Sequence, residues 1–396
     1  MKQGKEWFLN NHPGRVFRIC WSILMNGTFL STIGLANILC LVLWLLTPMH
    51  AEAQGLSKAQ IKAIDTAIEA EMEKQKVVGV AVGYLRNRKI VFLKGYGWAD
   101  REKKVSVTTK TMFNWASNSK PILALLAMIL FGQGQLDLDA DVRQYVPEFS
   151  KKSAVIKMRH LLCHQSGIPH YGPDIIGVTK QYKTKLPFTD PIVALDKFSK
   201  SKLKFTPGSR VQYSSFAYVL ASAVVQRAGK QDLQQQIQNR IVKPLKMKSF
   251  SMDVPYQGQK HWAAGYYRSN SGKVLRAPEY AHYWKHGAGG YKSDIEDFAK
   301  WAEALLQRKL VSKQTEAVMW QPQKTNDGKI TQWGLGFVVQ KQNGRLKISH
   351  NGKQTETGTR LVLYPEQGHG VVVMCNCHFA NPGRFSTALY SALQRK

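Results

Sequence analysis

The strand signals of this chain lie at its two ends. Short apolar, β-branched stretches cover residues 78–85 and 90–95, and four more cover 337–340, 346–349, 359–363 and 371–374. Between them, roughly residues 117–304, the pattern is mostly helix and loop. The first strands therefore have no sheet partners until the chain returns. Residues 56–76 and 384–394 read as helices that could cover the sheet. The expectation is an α/β chain of the α+β type, an antiparallel sheet flanked by helices with a helical subdomain inserted. The sheet subdomain would take about residues 54–113 plus 305–396, and the helical subdomain about 114–304. The cleft between them is the expected ligand site.

The inserted segment opens on Ser117-Asn118-Ser119-Lys120, followed by Pro121 and the apolar run 122–131. Pro121 suits the first turn of a helix, where a missing N–H costs nothing. Gly132 and Gly134 are stop signals. If the helical phase starts by Ser117, Ser117 and Lys120 share a face and can touch. A serine hydroxyl is a poor nucleophile until a neighbour takes its proton, and a neutral amine one turn away could do so. An isolated Ser-x-x-Lys is ordinarily an N-capping serine beside a solvated lysine. Here the lysine heads an almost wholly apolar helix, which places it near a core.

Two further stretches point to a site. Tyr213-Ser214-Ser215 follows the turn signal Pro207-Gly208-Ser209 and precedes an apolar-rich segment. A tyrosine at such a loop-to-helix junction can present its hydroxyl to a cleft, or pack with that hydroxyl bonded to backbone. His350-Asn351-Gly352 closes the strand-like stretch 346–349, and Gly352 would let a substrate's backbone approach closely.

Taken in order, these stretches resemble the serine β-lactamase and penicillin-binding-protein superfamily, in its class C β-lactamase, D,D-peptidase and esterase branch. The resemblance runs from about Val78 to the C-terminus. It includes Lys94-Gly95-Tyr96-Gly97, Thr111-Met112-Phe113 and Gly134-Gln135-Leu136-Asp137. It continues through Leu161-Leu162-Cys163-His164-Gln165-Ser166-Gly167, Gly289-Gly290, Trp333-Gly334-Leu335-Gly336 and Tyr364-Pro365. The resemblance implies that Ser117 is acylated, that Lys120 accepts or relays its proton, and that Tyr213 is a second acid/base. His350 would open the Lys/His-Thr/Ser-Gly strand motif that holds substrate. The backbone N–H groups of Ser117 and of Lys353, after Gly352, would form the oxyanion hole. Two positions depart from the pattern. Ser215 stands where asparagine is usual, and a hydroxyl cannot replace both ends of an amide. His350 stands where most class C β-lactamases carry lysine, so a carboxylate held there would be released as the ring loses its charge near neutrality.

Three functions fit this reading. The first is a D,D-peptidase or esterase-like, penicillin-binding serine hydrolase. The second is a class C-type β-lactamase, and the third a non-catalytic binder or scaffold. The expected partner is a small-molecule or peptide substrate, peptidoglycan-derived peptides among them, and no cofactor is expected. His160/His164 and His282/His286 are each four apart, but neither has the His-Glu-x-x-His pattern of a zinc protease, so no metal is expected either.

Net charge is +30, from 56 Lys and Arg against 26 Asp and Glu. Such a field would draw the protein to anionic surfaces such as cell-wall polymers or lipid head groups, although a basic surface that serves only solubility is the plainer reading. The lysines are scattered, with no basic helix or zinc-finger spacing, which argues against a specific nucleic-acid partner. Lys2, Lys5, Arg15 and Arg18 precede an uncharged stretch, residues 19–51, and Ala51-Glu52-Ala53 follows. This is the pattern of a secretory signal over residues 1–53, cleaved before Gln54, with a membrane anchor as the alternative. The expected location is periplasmic or secreted. There a single disulfide from Cys163 to Cys375 or Cys377 is conceivable.

Overall fold

Ser57 opens the first helix with a capping box. Its hydroxyl accepts from the Gln60 N–H while the Gln60 side chain accepts from the Ser57 N–H, which opens α1 (Lys58–Gln75). A hairpin follows, β1 (Gly79–Arg86) and β2 (Lys89–Asp100), with the short β3 (Val105–Ser106) on its outer edge. The middle of the chain carries α2 (Ser119–Gly132), α3 (Met158–Leu162), α4 (Ser215–Ala228), α5 (His286–Gly289) and α6 (Ile295–Leu306). The chain then returns to the sheet as β4 (Val338–Gln342), β5 (Arg345–Gln354), β6 (Thr357–Tyr364) and β7 (His369–Cys375), and ends in α7 (Pro382–Gln394). This computed structural model describes residues 55–171, 190–253, 261–278 and 282–394. Contacts divide the chain into Met1–Gln54 and Gly55–Lys396, and the expected export segment lies outside the described residues. Among those residues no helix is long and apolar enough to cross a membrane.

The strands form one sheet in the order β3-β2-β1-β7-β6-β5-β4, antiparallel throughout. Its closure is the long-range pairing of β1 with β7, from Val80 opposite Cys375 to Leu85 opposite Gly370. The central strands are covered on both faces, and their side chains divide by the period of two. Val80, Val82, Tyr84, Val371, Val373 and Cys375 join one core cluster with Ile64 and Ile68 of α1 and Phe385 and Leu389 of α7. Ala81, Leu85, Val372 and Met374 join the other, with Phe298 and Trp301 of α6.

Two expectations change here. Helix α6 packs on β1, β2 and β7, so the sheet layer begins before residue 305, near Asp294. The inserted segment also holds strands, Phe113–Asn114, Ser251–Met252 and Tyr291–Ser293 in one small sheet and the hairpin Tyr266–Arg268 with Val274–Arg276. At two or three residues each they are too short to show a period. Cys163, Cys375 and Cys377 are free and buried, with Cys163 in a different core cluster from the other two, so the conceivable disulfide does not form.

If the α1–α7 layer is integral to the fold, truncating a side chain at its centre should behave as a core deletion. Ile68→Ala should cost about 2–5 kcal/mol in urea unfolding. A change below about 0.5 kcal/mol would make α1 an appendage.

Candidate active site

Every residue of α2 from Ser119 to Leu130 is buried, so this helix runs through the core with no solvated face. It packs against α4 and α5. Lys120 sits in its first turn, fully buried, and none of its hydrogen-bond partners is a carboxylate. Its Nζ lies 3.2 Å from Ser117 Oγ, 3.0 Å from Ser215 Oγ and 2.5 Å from the Ala288 carbonyl oxygen. The rings of Tyr213 and Tyr218 lie 4.9 and 5.5 Å away. Burial, reinforced by the nearby Lys285, pulls the Lys120 pKa well below the ordinary lysine range. The N-termini of α2 and α4 act in the same sense. A neutral amine fits these partners. Two N–H bonds reach Ala288 O and Ser215 Oγ, and the lone pair is left to the Ser117 hydroxyl.

Ser117 does not belong to α2 itself. It lies in a 3₁₀ turn, Ala116–Asn118, ahead of the helix. Ala116 has φ +47°, a left-handed conformation that costs an L-residue roughly 1–2 kcal/mol. The surroundings enforce it. The Thr359 hydroxyl donates to the Trp115 carbonyl at 2.8 Å and accepts from the Asn118 amide at 2.8 Å. Trp115, buried against Phe250, Phe298 and Trp301, donates its indole N–H to Ser293 Oγ. The turn is thus fixed from both sides, and Ser117 stays partly exposed at its apex.

Tyr213 precedes Ser214, the N-cap of α4, whose hydroxyl accepts from the Ala217 N–H. The junction read from the sequence is therefore present, and the Tyr213 hydroxyl interacts with the side chains of both Ser117 and Ser215. Burial pushes its pKa up, so Tyr213 is a phenol at neutral pH. Of the two candidate bases, only Lys120 is shifted in the direction that makes one.

A beta-lactamase family model matches residues 64–396. The chain belongs to the beta-lactamase family. Protein flp of Staphylococcus aureus (strain MRSA252) is 27% identical over 322 residues, 79% of this chain, and the chain spans 62% of that relative's length. The mouse mitochondrial serine beta-lactamase-like protein LACTB is 25% identical, over 88% of this chain and 82% of its own. Among solved structures, EstCE1, a hydrolase with promiscuous acyltransferase activity, superposes with a TM-score of 0.72 at 21% identity, covering 85% of this chain and 99% of its own. The octameric penicillin-binding protein homologue from Pyrococcus abyssi gives 0.71 at 24%, covering 84% and 76%. These structures share the fold, an antiparallel sheet flanked by helices. The family is one of serine hydrolases.

The beta-lactamase-family strand motif sits differently from the sequence reading. Strand β5 does not close at Ser349 but runs on to Gln354, so His350, Gly352 and Lys353 lie within it. Gly352 makes room for protein rather than for substrate. A Cβ there would fall 2.1 Å from Thr359 Oγ1 and 2.4 Å from the Trp115 carbonyl, so glycine lets the Ser117 turn lie directly on β5. The Lys353 side chain is exposed. His350 is buried, and its Nδ1 lies 2.7 Å from the Asn351 carbonyl, which identifies that nitrogen as the N–H donor. Burial, with Lys120 second, pushes its pKa down to about 3. His350 is therefore neutral at physiological pH, and the cationic carboxylate clamp expected to titrate near neutrality does not arise.

Several supports were invisible in the sequence. Ala288 contributes only its carbonyl. His170 Nδ1 accepts from the Ser215 N–H at 3.0 Å, and His164, with φ +61°, accepts from the Ser214 N–H and lies 4.3 Å from the Tyr213 ring. That backbone turn takes His164 off the helix that carries His160. His282 instead bonds Glu356 at 2.8 Å, beside Asp253, whose carboxylate accepts the His282 N–H. These three are the described residues whose ligand atoms approach closely enough for a metal. Burial opposes ionisation of Glu356, but the hydrogen bond and charge of His282 outweigh it in holding the carboxyl below its usual range.

Two outcomes test this geometry. Gly352→Ala should lower kcat about a hundredfold or more, because its Cβ displaces the turn that carries Ser117. Unchanged kcat would separate β5 from the turn. For His350 the folded pKa lies below the unfolded value of about 6.5, so its neutral ring stabilises the fold above about pH 6.5 and that contribution fades toward pH 3. kcat/KM for carboxylate-bearing and neutral substrates should then show parallel pH profiles between about pH 5 and 8. A selective loss for carboxylates as pH rises through about 6.5 would restore a charged His350.

Proposed function

We propose that this protein is a serine hydrolase that works through a covalent acyl-enzyme, with D,D-peptidase or esterase-like and penicillin-binding character. The observation that carries the reading is Lys120, wholly buried, without a carboxylate partner and 3.2 Å from Ser117 Oγ. In the acylation step the Ser117 proton passes to the Lys120 lone pair as Oγ bonds to the acyl carbon. The carbonyl oxygen gains the electron pair and is received by the backbone N–H groups of Ser117 and Lys353. The tetrahedral species collapses, and the departing alkoxide or amine takes its proton from Lys120, relayed by the Tyr213 hydroxyl that interacts with both Ser117 and Ser215. Water then repeats the sequence in reverse to free Ser117.

Two features favour uncharged acyl donors. His350 offers no positive charge, and Ser215 offers no amide to a substrate. Within this reading, esters and amides without a carboxylate at that position should turn over faster than D-Ala-D-Ala peptides and penicillins, which both bear one. β-Lactam hydrolysis is the second reading, and a silent binding protein the third. The uncharged residues 19–51 and the Ala51-Glu52-Ala53 end support export with cleavage before Gln54.

Intact-mass measurement with short-chain esters, D-Ala-D-Ala peptides and penicillins reads acylation and turnover together. Ser117→Ala should lose every adduct, and an adduct that maps to Ser119 would overturn the assignment. Lys120→Met should keep the fold and lose acylation. Tyr213→Phe should slow turnover by about a hundredfold or more, and a near-wild-type rate would make Tyr213 structural. N-terminal sequencing of the envelope fraction should begin at or near Gln54, whereas a chain still starting at Met1 would mean an anchored enzyme.

A further inference from the structure

Strand β5 separates two environments. His350 and Gly352 are buried on the side of the Ser117 turn, while Asn351 and Lys353 are exposed on the other side. That second side is the floor of a groove of about 960 Å³ between the C-terminal end of α1 and the start of α7. Its walls carry Lys74, Lys353, Arg360 and Arg384, against the single carboxylate of Glu71, with Phe379 as an apolar edge. Glu71 is already engaged, accepting from Gln75 at 2.8 Å. None of the four cations forms an ion pair among the described residues.

Arg360 is the unusual member. Its guanidinium donates to Asn351 Oδ1, but its Nε is buried with no hydrogen-bond partner. Taking a guanidinium out of water without an anion is costly, and burial accordingly works against its charge. Lys347 adds repulsion from the same side. Arg268, whose guanidinium lies 4.5 Å over the Phe379 ring, places a further cation near the rim. An arginine in this state has its fork half-filled and matches a tetrahedral oxyanion. Four cations against one carboxylate favour a phosphate group, whose several oxygens can meet more than one of them, over a single carboxylate.

We propose that this groove is a binding site for a phosphate-bearing ligand, distinct from the acylation site and separated from it by one strand. The site stands whether or not Ser117 is the nucleophile. The phosphate could come from a free phosphate ester or from a lipid headgroup, and the experiment has an arm for each.

The full chain is titrated with sn-glycerol 1-phosphate by calorimetry, and with phosphatidylglycerol or phosphatidylcholine vesicles by co-sedimentation, at about 0.15 M ionic strength. Saturable binding is expected in at least one arm, with phosphatidylglycerol preferred over phosphatidylcholine if the source is a headgroup. Arg360→Gln should weaken it about tenfold or more. The double variant Lys74→Gln/Arg384→Gln should do the same and leaves the partly buried Arg360 in place, so misfolding of the first variant does not decide the outcome. Lys202→Gln/Lys204→Gln removes the same charge from an exposed stretch elsewhere and should change affinity by less than about twofold. An equal loss in that control would reduce the effect to general charge and overturn the site. So would the absence of saturation up to about 10 mM phosphate ester together with no preference between the two lipids.

Discussion

An amine buried without a carboxylate is the constraint on which the rest of this structure turns. A lysine in the core must either find a counter-charge or give up its proton. None of the Lys120 hydrogen-bond partners is a carboxylate, so burial and the nearby Lys285 push it toward the neutral form. Neutrality needs dryness, and dryness needs α2 to be buried all round. That in turn needs packing on every side, which α4, α5 and the helix Lys313–Trp320 supply. The same burial that lowers the Lys120 pKa also fixes its direction, because its remaining hydrogen bonds go to Ala288 O and Ser215 Oγ. A surface lysine at the same distance from a serine would have neither property.

The sheet serves this arrangement from the other side. Strand β4 pairs only with the Arg345–Ser349 half of β5. Residues 350–354 therefore extend beyond β4, and the Ser117 turn lies over the face they share with β6, brought close by the absence of a Cβ at Gly352. The left-handed Ala116 is tolerated because Trp115 is locked in the core and Thr359 ties both ends of the turn to β6. Strain beside Ser117 is thus held by contacts made with elements some 240 positions later in the chain. Such a site forms only once the sheet has closed.

This explains which parts could be read in advance. The six longer strands of the main sheet announced themselves as short apolar, β-branched runs, and the failure of the first two to find neighbours implied the return of the chain. Ser117, Lys120 and Tyr213 were legible as residue types at helix starts, and the structure brings all three together. Ala288 was not, since a carbonyl belongs to every residue. The role of Gly352 was misread because a glycine in a strand signals close approach without naming what approaches. His350 was expected to titrate near neutrality, whereas burial and Lys120 pull its pKa down. Its neutrality depends on burial and on Lys120, neither of which a local window contains. The placement of α6 with the sheet failed for the same reason, since its amphipathic face does not say which neighbour it covers.

The two departures from the family pattern then become consistent with one another. His350 and Lys120 act on each other, and Lys120 is one cause of the depressed imidazole pKa. By the same interaction a permanent cation at position 350 would lower the Lys120 pKa further and weaken it as a base, while offering a carboxylate something to bind. A neutral histidine leaves burial as the first cause of the Lys120 shift and withholds that attraction. Ser215 fits this balance. It gives the amine a small acceptor at 3.0 Å, and the hydroxyl interacts with Tyr213. A longer amide would have to take room from one of these partners or from the substrate. The result is a site whose polar groups, Lys120, Tyr213, Ser215 and His350, can all be uncharged before substrate arrives. In the mechanism proposed above, such a site would spend its electrostatics on the charge that develops on the acyl carbonyl, through the N–H groups at Ser117 and Lys353, rather than on a charge the substrate brings with it.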